Sequence, residues 1–201
     1  MSVVLAVTVF VLILPAELPD KTFVATLVLS TRYAALPVFV GVAAAFLVQT
    51  SVAVVAGGAV SLLPERPVHA AAAALFAIGA VLLLRGGGEM AQEEREVRAE
   101  LAQEPATASF RRAALTSFGV LFAAEWGDLS QLLTASMAAR YGDPAAVFVG
   151  ALLALWVVAA LAIAGGRTLL RVVPVTWVRR LAGGLFAALA LVTGLQAAGA
   201  F

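Results

Sequence analysis

The sequence predicts an all-α membrane protein of six transmembrane helices arranged as two inverted-topology three-helix repeats, and three observations predict it. The 201 residues are 63% hydrophobic and only 12% charged, with a mean hydropathy of +1.03, well outside the range of soluble domains. Six apolar stretches are each long enough to cross about 30 Å of hydrocarbon. The two halves of the chain also match one another at an offset of 108 residues.

The six stretches run over residues 3–30, 36–63, 68–84, 110–139, 145–170 and 177–199. The first opens with the apolar run Val3 to Leu14, which no Lys or Arg precedes and no small-x-small site follows, so it reads as a retained helix and not as a signal peptide. Residues 1–84 form the first three-helix repeat and 110–201 the second. Between them, 85–109 is a charged cytoplasmic linker that opens on Gly86-Gly87-Gly88 and carries Glu and Arg at helical spacing, Glu94 with Arg98 among them.

When the halves are superposed, Glu17 meets Glu125, Asp20 meets Asp128, Thr22 meets Ser130, Thr26 meets Thr134, and Arg32-Tyr33 meets Arg140-Tyr141. With a small drift, Val38 to Gly41 falls on Val147 to Gly150, and Ala56-Gly57-Gly58 on Ala164-Gly165-Gly166. An odd number of spans per unit makes the second copy enter the membrane from the opposite side, with a pseudo-two-fold axis in the membrane plane. Placing both termini outside puts ten arginines, Arg32, Arg85, Arg95, Arg98, Arg111, Arg112, Arg167, Arg171, Arg179 and Arg180, on the cytoplasmic side, against Arg66 and Arg140 outside. The positive-inside rule therefore favours that orientation.

The duplicated segments Ala16-Glu17-Leu18-Pro19-Asp20-Lys21-Thr22 and Ala124-Glu125-Trp126-Gly127-Asp128-Leu129-Ser130 carry the chemistry. A charge at the centre of a membrane helix costs about 3 kcal/mol even on lenient scales, so four acids in apolar surroundings point to cation binding. Spacing of i and i+3 puts Glu17 with Asp20, and Glu125 with Asp128, on one face if the helix is continuous. Inverted symmetry brings the two motifs together near the midplane, where Thr22, Ser130, Gln131 and Gln49 complete an all-oxygen cage. The chain has no cysteine, so thiolate ligands are excluded, and hard oxygens suit Mn²⁺, Ca²⁺ or Mg²⁺.

Pro19 lacks an N–H, which leaves the Pro15 carbonyl without its helical partner, and Gly127 permits unwinding at the matching place. A first segment of about 28 residues would measure about 42 Å as one helix, so a tilt or break is expected there. Crowded carboxylates in a low dielectric cannot all ionise without counter-charge, so they take up protons when the metal leaves. Competition between metal and protons for one site is the minimum an antiporter requires.

An E-x-G-D-[KR]-[ST] motif present once in each half of a six-helix protein resembles the GDT-type divalent cation/proton exchangers, also known as uncharacterised protein family 0016 and including relatives of transmembrane protein 165. The resemblance implies export of Mn²⁺, or Ca²⁺ in some members, in exchange for H⁺. By position it implies Glu17, Asp20 and Thr22, and Glu125, Asp128 and Ser130, as the ion-binding residues. Pro19 stands where the family has Gly, and Leu129 where it has Lys or Arg, which leaves Lys21 as the one motif cation. No resident cofactor and no nucleic acid are expected. The expected partners are the bilayer and the cation, with a homo-oligomer left open.

Lys21 reads as a counter-charge in the site or as an i+4 partner of Glu17. Gln49, Thr50 and Ser51 read as pathway-lining or packing residues, His69 as a solvated loop residue, and Trp156 and Trp177 as interface or helix-contact residues. Two other functions remain open at this level: an intramembrane hydrolase using paired carboxylates, and an exporter of a cationic amino acid.

Overall fold

Helix is the only regular structure among the described residues, which in the computed structural model are 2–18, 20–60, 62, 64–85, 95–99, 108–172 and 175–199, with backbone alone at 65, 129, 166–172 and 175–179. In chain order the helices are α1 (Val3–Glu17), α2 (Lys21–Arg32), α3 (Ala35–Val60), α4 (Glu65–Arg85), α5 (Phe110–Ala124), α6 (Leu129–Tyr141), α7 (Pro144–Val172) and α8 (Val175–Ala197).

Local chemistry explains the boundaries. Ser2 caps α1 by accepting the Leu5 N–H at 3.3 Å, and Ser109 caps α5 by accepting the Arg112 N–H at 3.4 Å. Helix α6 stops at Gly142, whose φ of 62° is the left-handed conformation that favours glycine at a helix end. Pro144 then opens α7, where its missing N–H costs nothing. Asp143 holds that junction: Oδ1 accepts the Ala146 N–H at 3.1 Å and Oδ2 accepts the Ser2 N–H at 2.6 Å.

Among the described residues, four helices are long and apolar enough to cross a membrane, within α3, α4, α7 and α8, and the count is five if α1 and α2, which meet at 68°, form one broken span. The break expected in the first stretch is therefore present. The fourth stretch, 110–139, is also two helices and not one, because the second motif divides it between α5 and α6. Neither α1 nor α5, 15 residues each, reaches across by itself, since 15 residues rise only about 22 Å.

The core lies around α3 and α7, which pack on one another and on the broken pairs. Helix α3 carries α5 and α6, α7 carries α1 and α2, and α4 pairs with α8 beside them, with Phe76 and Phe186 edge to face at 6.2 Å. Glycine sets two of these approaches. A Cβ on Gly41 of α3 would collide with the Ala114 carbonyl oxygen of α5 and stand 2.9 Å from the Ser117 Cβ. A Cβ on Gly150 of α7 would collide with the Ala6 carbonyl oxygen of α1 and stand 2.9 Å from the Val9 Cβ.

Some expectations are refined. His69 belongs to α4 and is half-buried, not in a loop. Trp156 makes a helix contact, its Nε1–H donating to the Ala43 carbonyl at 3.2 Å. Within the linker, residues 95–99 form a helical turn whose Val97 is buried. Glu94, and the side chains of Arg167, Arg171, Trp177 and Arg179, lie outside the described residues.

Candidate metal centre

Each acidic motif sits at a helix break and not on a helix face. Helix α1 ends at Glu17, and Asp20, in extended conformation (φ −107°, ψ 174°), precedes α2. Glu125 follows the last residue of α5, and Asp128 (φ −67°, ψ 165°) caps α6 by accepting the Ser130 N–H at 3.4 Å. In both copies the Asp N–H donates to the Glu carbonyl at 3.2 Å. The i, i+3 spacing thus encodes a tight turn between two half-helices, and the expectation that each pair shares one helical face is corrected. Gly127 at φ 78° supplies the turn in the second copy, where a side chain would be strained. Pro19, its counterpart, and the side chain of Leu129 lie outside the described residues.

The breaks converge. Carboxylate oxygens of Glu17, Glu125 and Asp128 lie within 4.8 Å of one another, although Glu17 is more than a hundred positions from the other two in sequence. Glu17 is 1% exposed and Glu125 4%. Asp20 is outside this trio but within electrostatic reach of Glu17, Glu125 and Lys21. Lys21, the chain's only lysine, pairs with Asp128 at 3.4 Å across the halves, so the expected i+4 pairing with Glu17 is replaced by a tertiary one. The reason is the break itself: with α1 and α2 at 68°, residues 17 and 21 no longer follow one helical turn.

Several buried oxygens here have no hydrogen-bond partner: Glu17 Oε2, Glu125 Oε1 and Thr22 Oγ1. The Thr22 and Ser130 hydroxyls stand beside Glu17, and Thr22 also beside Glu125. Buried acceptors without donors are costly. A cation among them satisfies all of them at once, and an ion held at about 2.0–2.6 Å from each oxygen separates opposed ligands by about 4–5 Å, the span of this trio.

The glutamines act as braces. Gln131 Oε1 accepts the Gly127 N–H at 2.8 Å, fixing the turn, and its Nε2 donates to the Gln49 carbonyl at 3.4 Å. Gln49 Nε2 donates to the Phe122 carbonyl at 3.1 Å, in the last turn of α5. Next to Glu125, Gln49, Thr50, Ser130, Gln131 and Thr134 border a cavity of about 20 Å³. Ser51 does not reach it and instead donates to the Leu47 carbonyl at 2.7 Å. Thr134 had no functional reading from sequence beyond its match to Thr26, and that match was the available signal.

The family described as divalent cation/proton antiporter GDT1 matches residues 5–91 and 113–200. The chain belongs to this family. It is a family of transporters, and the chain is accordingly a membrane protein handling a cation substrate. Among curated relatives, the chain is similar to the GDT1-like protein sll0615 of Synechocystis (30% identity, covering 78% of this chain and 80% of the relative). It is also similar to the chloroplastic protein PAM71 of Arabidopsis thaliana (33% identity, 92% of this chain and 55% of the relative) and to GDT1-like protein 5 of the same plant (30%, 77% and 79%). No solved structure matches the chain.

Proposed function

We propose that this protein exports a divalent cation in exchange for protons, with Mn²⁺ favoured on the family resemblance and Ca²⁺ as the other candidate. Glu17, Asp20, Glu125 and Asp128 hold the ion, Thr22 and Ser130 add hydroxyl oxygens, and Lys21 balances part of the charge. Gln49, Gln131 and Gly127 shape the site, and Pro19 helps to break the first helix. The observation that carries the reading is the convergence of three carboxylates from the two motifs within 4.8 Å, two of them buried with an unpartnered oxygen.

The architecture proposed is six spans in two inverted three-helix units, with both termini outside and the linker cytoplasmic. Its support is the reciprocal packing: α1 lies on α7 as α5 lies on α3, with Gly150 and Gly41 making equivalent approaches. The two family-matched segments also start 108 residues apart, the offset at which the motifs coincide. Two units meeting at a shared midplane site are the arrangement that lets access alternate.

The test is reconstitution in liposomes holding a pH dye, with Mn²⁺, Ca²⁺ or Mg²⁺ added outside. Proton movement that depends on one of these ions and vanishes in Glu17→Gln and Asp128→Asn is expected. No movement with any of the three refutes the exchange.

A further inference from the structure

Two helix interfaces lead away from the carboxylates, one between α3 and α6 and one between α2 and α7. The repeat makes them equivalents. The Gly41 and Gly150 contacts set an offset of 109 between α3 and α7, which replaces the 108 at which Ala56-Gly57-Gly58 matches in sequence because both helices are uninterrupted, while the motifs set 108 between α2 and α6. Gln49 then corresponds to Val158, Ala53 to Ala162, Gln131 to Phe23, and Ala135 to Leu27.

The chemistry at these equivalent places is opposite. Between α3 and α6, Gln131 donates to the Gln49 backbone beside the 20 Å³ cavity that Thr50, Ser130 and Thr134 also border. Phe46, Ala53 and Leu155 complete its lining, and the volume holds a single water, which needs about 10–15 Å³ and two to four polar neighbours. Between α2 and α7, Phe23, Leu27, Val158 and Ala162 close into a separate apolar cluster, none more than 8% exposed. A hydrocarbon constriction excludes water and ions by dewetting. Thr26, the mate of Thr134, is fully buried with its hydroxyl unpartnered, whereas Thr134 donates to the Ser130 carbonyl at 2.7 Å.

We propose that the two access routes to the carboxylates are unlike: a route between α3 and α6 that carries two glutamine amides and room for one water, and a hydrophobic gate of Phe23, Leu27, Val158 and Ala162 between α2 and α7. This rests on the exchanger reading above. In the orientation given there the first route leads outward, where Gly57 of α3 lies against the Ala135 carbonyl of α6, and the gate closes the cytoplasmic side. The cation crosses the α3–α6 side past fixed polar groups, and the α2–α7 side passes it only when the apolar side chains part.

The absence of native cysteine allows a direct test. Ala53→Cys and Ala162→Cys are single, small changes at equivalent positions, one on each route. Purified variants are exposed to Ag⁺, a small thiol-reactive cation, and the thiols left unreacted are counted with a fluorescent maleimide after denaturation. The expected result is that the Ala53→Cys thiol reacts at least fivefold faster than the Ala162→Cys thiol; a smaller advantage, or a reversal, overturns the proposal. As a second measurement, adding Phe23→Gln to Ala162→Cys is expected to speed its reaction at least fivefold, and no acceleration in a variant that elutes as a single species overturns the gate. These rates are read without transport. A protein that moved no cation in liposomes would therefore refute the exchanger while the thiol rates independently judged the two routes.

Discussion

Lys21, the first residue of α2, and Asp128, the residue that caps α6, form a 3.4 Å ion pair between the two halves of the chain. The pair links one motif to the other and occupies a carboxylate of the proposed ion site. Lys21→Met frees that carboxylate. Because the lysine is about a third exposed, the pair is worth about 1 kcal/mol, so the KM for the cation is expected to fall about fivefold. The maximal rate falls with it as release slows. Initial proton-flux rates against cation concentration check this, and a KM that rises refutes it.

The buried acids predict a linked stability effect. A ligand that binds only the folded state stabilises by about 2.7 kcal/mol at a hundred times its Kd. Thermal unfolding in detergent should shift upward with the transported ion for the native protein, and not at all for Glu17→Gln or Glu125→Gln. These substitutions keep side-chain volume and remove the charge, so both variants are expected to fold and to melt no lower than the native protein without ion. An ion-dependent shift retained in either variant would remove that glutamate from the site.

Gly41 and Gly150 admit no side chain, because a Cβ at each would collide with a backbone carbonyl of the facing helix. Overpacking of this kind costs about 1–3 kcal/mol, so Gly41→Ala and Gly150→Ala are each expected to lower the melting temperature, and by similar amounts. Gly119→Ala and Gly184→Ala, where an added Cβ meets nothing within 4 Å, serve as controls and leave it unchanged or higher. Equal effects at all four positions would contradict the packing described.

Asp143, in the turn between α6 and α7, accepts the backbone N–H groups of Ser2 and Ala146, which hold its carboxyl below the ordinary value of 3.8. A depressed folded value means its contribution is present above the unfolded value and is lost as pH falls through the lower folded one. The first turn of α1 is therefore expected to stay protected from hydrogen exchange at neutral and mildly acidic pH and to fray only in strong acid. Asp143→Ala frays it at pH 7, and unchanged protection in that variant of the Leu5 and Ala6 amides, which donate to Ser2, would show that Ser2 is held by other means.

Composition and apolar run length made two features legible along the chain, that it is helical and that it is apolar enough to live in a membrane, and the repeated acidic motif pointed to the acids proposed as the ion site. Composition, periodicity and repetition along the chain carry that information without any knowledge of packing. Legible too was the break in the first stretch, because a proline between two acids in an overlong apolar segment disfavours one straight helix.

Only the tertiary structure decided how these parts meet. The i, i+3 spacing fits both a helical face and a tight turn, and Gly127 at positive φ with the shared Asp-to-Glu backbone bond shows the turn. The partner of Lys21 is on the other half because local spacing loses its meaning where a helix bends by 68°. The bracing of Gln131 against Gly127 and Gln49, and the contrast between Gln49 and Val158 at equivalent places, likewise depend on contacts between distant segments. Pattern along a chain records which groups are buried, whereas the choice of neighbour across a helix interface is made by packing in three dimensions.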